Sequence, residues 1–377
     1  MVKPALFITL ALTLVSSTSA FPAYASLAGL SQAELDRIIP TLEAREPAKL
    51  PPPMKSNGTK LVNDAQHPFK PLRPGDMRGP CPGMNTLASH GYIPRTGVAS
   101  PSQIIEAVGE GFNMERNFAT FITYLAHLSD GNQVTDLLSI GGKTSKTGPV
   151  GQHSKAPIGG FDFHNTFEGD ASLSRGDSFF GDNHTFNETI FQEFIDFSNK
   201  FGAGKYNLTV AGELRFHRIQ QSIATNPQMT FLSPRYTNAY SESAFPINFF
   251  VDGRHYNGQL DTTAARSFFQ NMRMPDGFHR APAPIGGEGF MQIGAAHPLK
   301  SGRNVKGVNS YKADPSQPKL GEFCKIYEDF VKNIVVPFYP KPTGDLKKAL
   351  NINLGRLYDA LTVVNGSKCP RLFPFGK

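Results

Sequence analysis

Apolar residues in this 377-residue chain recur at helical spacing in several separate stretches, while the strict alternation expected of strands is scarce. In Ile190, Phe191, Phe194, Ile195, Phe197 and Phe201 they fall on one helical stripe, and Asn187 or Thr189 can cap its start. The same reading predicts helices over residues 102–109, 112–129, 187–201, 208–224, 262–272, 321–336 and 345–364. Between them run long irregular connections, through which 36 Gly and 30 Pro are spread. The expected fold is mostly α, a single helical domain with long irregular loops. No internal repeat, heptad or low-complexity linker divides it, so one domain over residues 46–377 is the simplest division.

The N-terminus departs from this pattern. Met1-Val2-Lys3 precedes an apolar run from Ala5 to Val15 and a Ser-Ser-Thr-Ser-Ala stretch ending at Ala20, the order of a secretory signal over residues 1–20. Residues 21–45 are weakly amphipathic and read as a propeptide, before a Pro-rich arm that starts at Glu46. That first run is too short to span a bilayer, and no later stretch reaches 18 apolar residues, so no membrane association is expected. Asn-x-Ser/Thr sequons at Asn57, Asn183, Asn187, Asn207 and Asn365 also point to secretion and glycosylation, and the cluster from Asn183 to Asn207 should lie at the surface. The net charge of +7 comes from scattered Lys and Arg with no basic run, which argues against nucleic acid as a partner.

Three cysteines in an oxidising compartment leave at least one unpaired. A bond between Cys324 and Cys369 would tie down the C-terminal tail and leave Cys81 free. Cys81 stands in Arg78-Gly79-Pro80-Cys81-Pro82-Gly83-Met84-Asn85, where flanking prolines stiffen the turn. The amides of Gly83, Met84 and Asn85 would open a short helix facing the sulfur and favour a thiolate. On residues alone Cys81 fits a structural cysteine, a hydrolase nucleophile with His90 as base, or a thiolate metal ligand. No second ligand pair at zinc spacing accompanies it.

The segment from Leu61 to Tyr92, with its Pro-Gly-Asp-Met-Arg-Gly-Pro-Cys-Pro-Gly-Met-Asn core, closely resembles the heme-ligand region of the unspecific peroxygenases and related chloroperoxidases. The likeness continues to the C-terminus and favours the longer, secreted fungal members, which carry a C-terminal cysteine pair like Cys324 and Cys369. It implies heme b with Cys81 as the axial iron ligand, hydrogen peroxide as oxidant, and small apolar or aromatic molecules as substrates. Oxygen transfer to C–H, aromatic and alkene groups would be the main reaction, with one-electron peroxidation and halide oxidation as side activities. A monomer is expected.

Two further motifs gain roles from this resemblance. Phe167-Glu168-Gly169-Asp170-Ala171-Ser172 reads by composition as an acidic loop without EF-hand spacing, yet two carboxylates and a hydroxyl suit a hard cation. In the family it is the Glu-Gly-Asp signature, with His in the middle position of chloroperoxidase-like relatives. Glu168, the Gly169 carbonyl, Asp170 and Ser172 would then hold Mg²⁺ beside a heme propionate, and Mn²⁺ would also suit such oxygen ligands. Arg235 and Glu242, seven residues apart, can share a helix face, and the resemblance makes them the charge-stabilising arginine and the acid-base glutamate.

Thirty Phe and no Trp imply a Phe-rich core. Met114, Phe118, Phe121, Phe167 and Phe245 are expected to line the substrate channel. Met114 falls where close relatives often have Phe, which predicts a more adaptable pocket with an oxidisable thioether. A secreted cysteine hydrolase and a non-catalytic heme carrier are the competing readings.

Overall fold

Ser100, Glu115, Asn187, Asn207 and Asp261 each stand one residue before a helix and accept a backbone N–H from its first turn. These local choices fix where the main helices start. A computed structural model describes residues 21–142, 160–164, 166–364, 366 and 368–376. The signal expected over residues 1–20 and the sequon at Asn365 lie outside the described residues.

The helices in chain order are α1 (Gln32–Ile38), α2 (Pro82–His90), α3 (Pro101–Phe112), α4 (Arg116–Asp130), α5 (Glu188–Gly202), α6 (Leu208–Thr225), α7 (Arg235–Phe249), α8 (Thr262–Phe269), α9 (Phe290–Ala296), α10 (Phe323–Phe330), α11 (Val336–Phe338) and α12 (Gly344–Val364). Among the described residues strand is confined to short antiparallel pairings: Val98–Ala99 with Leu138–Ser139, Lys205–Tyr206 with Leu260–Asp261, and Gly302–Asn304 between Thr230–Phe231 and Tyr311–Ala313. The mostly helical expectation holds.

Two predicted helices are cut by local structure. Phe112 ends α3 because Asn113 takes a left-handed conformation (φ 61°), and its side-chain amide donates to the carbonyls of Asn57 and Ala281 at 2.7 and 2.8 Å. The helix predicted over residues 112–129 therefore restarts at Arg116. The stretch predicted over 321–336 contains a π-helical turn, Val331–Val335, between α10 and α11.

Helix α12 lies along α4, where Asn353 donates to Gln133 at 3.0 Å and Arg356 to the Tyr124 hydroxyl at 2.7 Å. Helix α6 packs on α5, α7 and α9. Stacked and edge-on rings of Phe191, Phe194, Tyr206, Phe250, Phe268 and Phe269 fill the space between α5, α7 and α8.

Residues 21–45 pack into this body. Leu27, Leu30, Leu35 and Ile38 are buried in the common core, α1 has a reciprocal Ser31–Glu34 cap, and the Asn132 amide donates to the Ala25 carbonyl at 2.8 Å. The Pro-rich arm continues over the surface, held by Arg116 on Pro51, Asp136 on the Ala48 amide and Arg356 on Pro47.

Cys324 on α10 and Cys369 in the tail form a disulfide across 45 residues, and the Tyr358 hydroxyl of α12 donates to the Cys369 carbonyl at 2.6 Å. Cys81 is the remaining, free cysteine. Closing a loop of that length constrains the unfolded chain, so the double substitution Cys324→Ser, Cys369→Ser should lower stability by about 2–4 kcal/mol. Denaturant unfolding of both proteins checks this, and unchanged midpoints would contradict it.

Candidate functional site

Pro82 occupies the first turn of α2, where its missing N–H costs no hydrogen bond, and Cys81 sits at the N-cap. The amides of Gly83 and Met84 bond the Cys81 sulfur, while that of Asn85 makes the ordinary helical bond to the Cys81 carbonyl at 3.1 Å. Two of the three expected donors thus face the sulfur. The Asn85 side chain braces the turn instead, accepting from the Gly79 amide at 2.9 Å and donating to the Gly79 carbonyl at 2.7 Å. Burial pushes the thiol pKa up, the charge of Glu242 adds to this, and the two amides and Arg175 oppose it.

His90 cannot serve as a base for Cys81. It is fully buried, its Nδ1 faces the His67 carbonyl at 2.8 Å, and its Nε2 accepts the Met274 N–H at 3.1 Å. Burial lowers its pKa and keeps the ring neutral in this role. The hydrolase pairing fails on that geometry.

Cys81 opens onto a cavity of about 1300 Å³, mouth included, with largely apolar walls from Phe112, Phe161, Phe167, Phe245 and Phe249. Glu168, Gly169, Ser172, Arg235 and Glu242 border the same space. Arg235 and Glu242 stand two turns apart on α7, and the Arg235 Nη1 donates to both Glu242 oxygens at 2.7 and 2.6 Å and to the Phe167 carbonyl at 2.6 Å. Gly169 lies directly against that guanidinium: a Cβ there would overlap the Arg235 Cδ and Nε.

The acidic loop is a buried, clamped turn rather than a solvated one. Asp170 and Asp177 are buried, Ala171 has φ 64°, and the Ala171 amide donates to Asp177 at 2.9 Å. Arg215 from α6 reaches the Ala171 carbonyl and the Ser243 hydroxyl, and Arg218 reaches the Ser172 carbonyl at 2.9 Å. The loop's side chains diverge. Glu168 faces the main cavity and pairs with His164 at 2.6 Å; Asp170 turns to a neighbouring pocket, accepts the Thr230 N–H at 2.8 Å and, among the described residues, leaves Oδ1 without a hydrogen bond, 3.9 Å from His164 Nε2. Burial, with Asp177 adding to it, pushes the Asp170 carboxyl up to about 7. Among the described residues no group of three or more His, Cys, Asp or Glu is arranged to hold a metal. A cation here would need the Gly169 carbonyl, the Ser172 hydroxyl and ligands from a bound molecule.

Of the expected channel residues, Met114, Phe167 and Phe245 line the cavity. Phe118 and Phe121 do not. On α4 the cavity-facing positions are Ile122, Thr123 and Ala126; Phe118, one turn earlier, turns its ring toward Gly286 and Gly287 and meets Phe245 edge-on at 6.1 Å. Phe121 is buried one position off that stripe, about 100° around the helix.

Among the sequons, Asn57 and Asn187 are exposed, and Asn207 is half-buried with its amide on Gln259 at 3.2 Å. Asn183 corrects the surface expectation. It is fully buried, borders the cavity and donates to the Asp162 carbonyl at 3.2 Å, leaving no room for a glycan.

Arg175 carried no signal in the sequence beyond its place three residues after Ser172. It is buried against the cavity, bonds the Ser174 hydroxyl at 2.7 Å and the Phe269 carbonyl at 3.4 Å, and leaves Nε without a partner among the described residues. Burial lowers its pKa to about 10, and the nearby sulfur of Cys81 opposes that fall. A large apolar cavity with a sulfur supported by two amides and an underused buried guanidinium fits a flat apolar group bearing acids, as heme does.

The chain matches Peroxidase, family 2, across residues 67–283, a span that contains Cys81, the acidic loop, Arg235 and Glu242. It is 59% identical over 358 residues to an aromatic peroxygenase from Cyclocybe aegerita, covering 95% of each chain. It is 58% identical over 238 residues to an aromatic peroxygenase from Coprinellus radians, covering 62% of this chain and 90% of that one. A dothistromin biosynthesis peroxidase from Dothistroma septosporum is 32% identical over 243 residues, 58% of this chain and 56% of its own.

The close approach of Gly169 to Arg235 is directly testable. Gly169→Ala should lower stability by about 1–3 kcal/mol through overpacking. Gly58→Ala, where nothing lies within 4 Å of the new methyl, should stay within about 0.5 kcal/mol. Equal unfolding midpoints for the two variants would contradict the contact.

Proposed function

The chain belongs to peroxidase family 2, and on that premise we propose that it is a heme-thiolate peroxygenase that transfers an oxygen atom from hydrogen peroxide to apolar and aromatic small molecules. The observation that carries this reading is the opening of Cys81 and the Arg235–Glu242 pair onto one apolar cavity. Heme bound there supplies the iron chemistry that cleaves the peroxide O–O bond and passes one oxygen on.

The residues divide the remaining work. Cys81 would hold the heme iron through its sulfur, and the Gly83 and Met84 amides would soften the charge of its thiolate. Glu242 accepts a proton from hydrogen peroxide and returns it to the oxygen that leaves as water. Arg235 fixes both Glu242 oxygens and offsets the negative charge that grows as the O–O bond breaks. Phe167, Phe245, Phe249 and Met114 exclude water and receive the substrate. Arg175 supplies a cation for one heme carboxylate.

For the second carboxylate we assign a Mg²⁺ ion held by Glu168, the Gly169 carbonyl and Ser172, all of which border the cavity. Asp170 supports the turn from behind through Thr230 rather than facing that space. Secretion rests on the leader pattern of residues 1–20, on the exposed sequons Asn57 and Asn187, and on the Cys324–Cys369 bond. Among the described residues no helix is long and apolar enough to cross a membrane. A single domain over residues 46–377, with residues 21–45 packed against its core, monomeric in solution, completes the proposal.

Glu242→Gln keeps the shape of the cavity and removes the proton carrier. Its peroxide-dependent turnover should fall roughly 10²–10⁴-fold with heme content unchanged. Oxygen-18-labelled peroxide should place the label in the product of the parent enzyme. Turnover retained in Glu242→Gln, or product oxygen drawn from water or O₂, would overturn these assignments.

A further inference from the structure

Two methionines border the cavity, Met84 and Met114. Met84 belongs to α2, and its amide bonds the Cys81 sulfur. Met114 stands at the α3–α4 junction, where Asn113 and Glu115 clamp it on either side through backbone bonds with Ile285 at 3.1 and 2.8 Å. One turn along, Phe118 meets Phe245, which follows Glu242 by three residues on α7. Met114 thus lines the same cavity as the proton-handling carboxylate. It is 6% exposed, whereas Met291 on α9 is 48% exposed. Peroxide acting from bulk solvent would oxidise Met291 first.

We propose that Met114 is a self-modification site: when no substrate fills the cavity, the enzyme transfers a peroxide oxygen to the Met114 sulfur and forms methionine sulfoxide. The inference rests on the peroxygenase reading above. In the reaction the O–O bond of H₂O₂ breaks, one oxygen bonds the sulfur lone pair, and the other leaves as water with both hydrogens. The sulfur loses two electrons and the peroxide gains two, so no further reductant or oxidant is needed. The thioether is polarizable, has no hydrogen to lose, and is held at the wall where a substrate would sit. Its sulfoxide is polar and chiral, so it weakens apolar contacts in the cavity and shifts preference toward substrates that can donate a hydrogen bond. Sulfoxides of methionine are enzymatically reducible, which makes the mark reversible.

The test treats heme-loaded enzyme with increments of hydrogen peroxide, with and without saturating toluene, and follows toluene oxidation and peptide masses in the same samples. The Met114 peptide should gain about 16 Da. It should do so on the order of tenfold or more faster than the Met291 peptide. Toluene and Glu242→Gln should both suppress it. Peroxide pre-treatment should shift the preference of the parent enzyme between toluene and a hydrogen-bond-donating substrate such as benzyl alcohol, and should leave that preference unchanged in Met114→Leu. Toluene turnover accompanied by oxidation in order of exposure, Met291 ahead of Met114, overturns this inference and leaves the peroxygenase reading standing. Heme-loaded enzyme that oxidises neither toluene nor Met114 overturns both.

Discussion

A buried guanidinium must find its acceptors inside the protein, and Arg235 finds three: both oxygens of Glu242 and the carbonyl of Phe167. That requirement joins the acidic loop to α7. It also sets the Glu242 carboxylate at a fixed angle to the cavity, because the pair lies two turns apart on one helix. Gly169 is part of the same constraint, since any larger residue would enter the volume of the Arg235 side chain.

The loop that carries Glu168 is then held by charged groups on α6 and by its own Asp177. Arg215 and Arg218 on α6 bond the carbonyls of Ala171 and Ser172, and Asp177 accepts from the Ala171 amide and from Asn226 at 3.0 Å. Each of these groups would be costly to bury alone; together they make a rigid turn whose left-handed residue, Ala171, is over-determined by its bonds. Ligand oxygens presented by such a turn are pre-organised. At the end of the same loop, the buried Arg175 borders the cavity with its Nε unpartnered among the described residues, which is where the electrostatics call for an anionic guest.

Much of this was legible in the residues, and the limits follow from how the signals arise. Helices α3, α5 and α6 have side-chain N-caps, and these three and α12 have apolar residues at helical spacing, so local sequence sufficed. Helix α7 lacks that pattern because Arg235, Asn238, Ser241 and Glu242 interrupt it and Pro246 lies inside it, so apolar spacing does not reveal it and only the seven-residue Arg235–Glu242 separation suggests a helix there. Helix α2 is short and buried from Met84 to His90, which erases amphipathic contrast, so the proline-flanked turn at Cys81 and not apolar spacing announces it. Asn183 misleads for the opposite reason: a sequon is three residues of local sequence, while its burial against Asp162 is set by distant packing. Phe118 and Phe121 have the right composition for a channel, but the phase of α4, reset by the Asn113 turn, gives that face to Ile122, Thr123 and Ala126.

The central claim is that Cys81 holds heme iron as a thiolate. Its most direct test is the absorption spectrum of the heme-loaded, dithionite-reduced protein under carbon monoxide. The account predicts a strongly red-shifted Soret band that is lost in Cys81→Ala. A band at the position given by histidine-ligated heme, unchanged by that substitution, would contradict it.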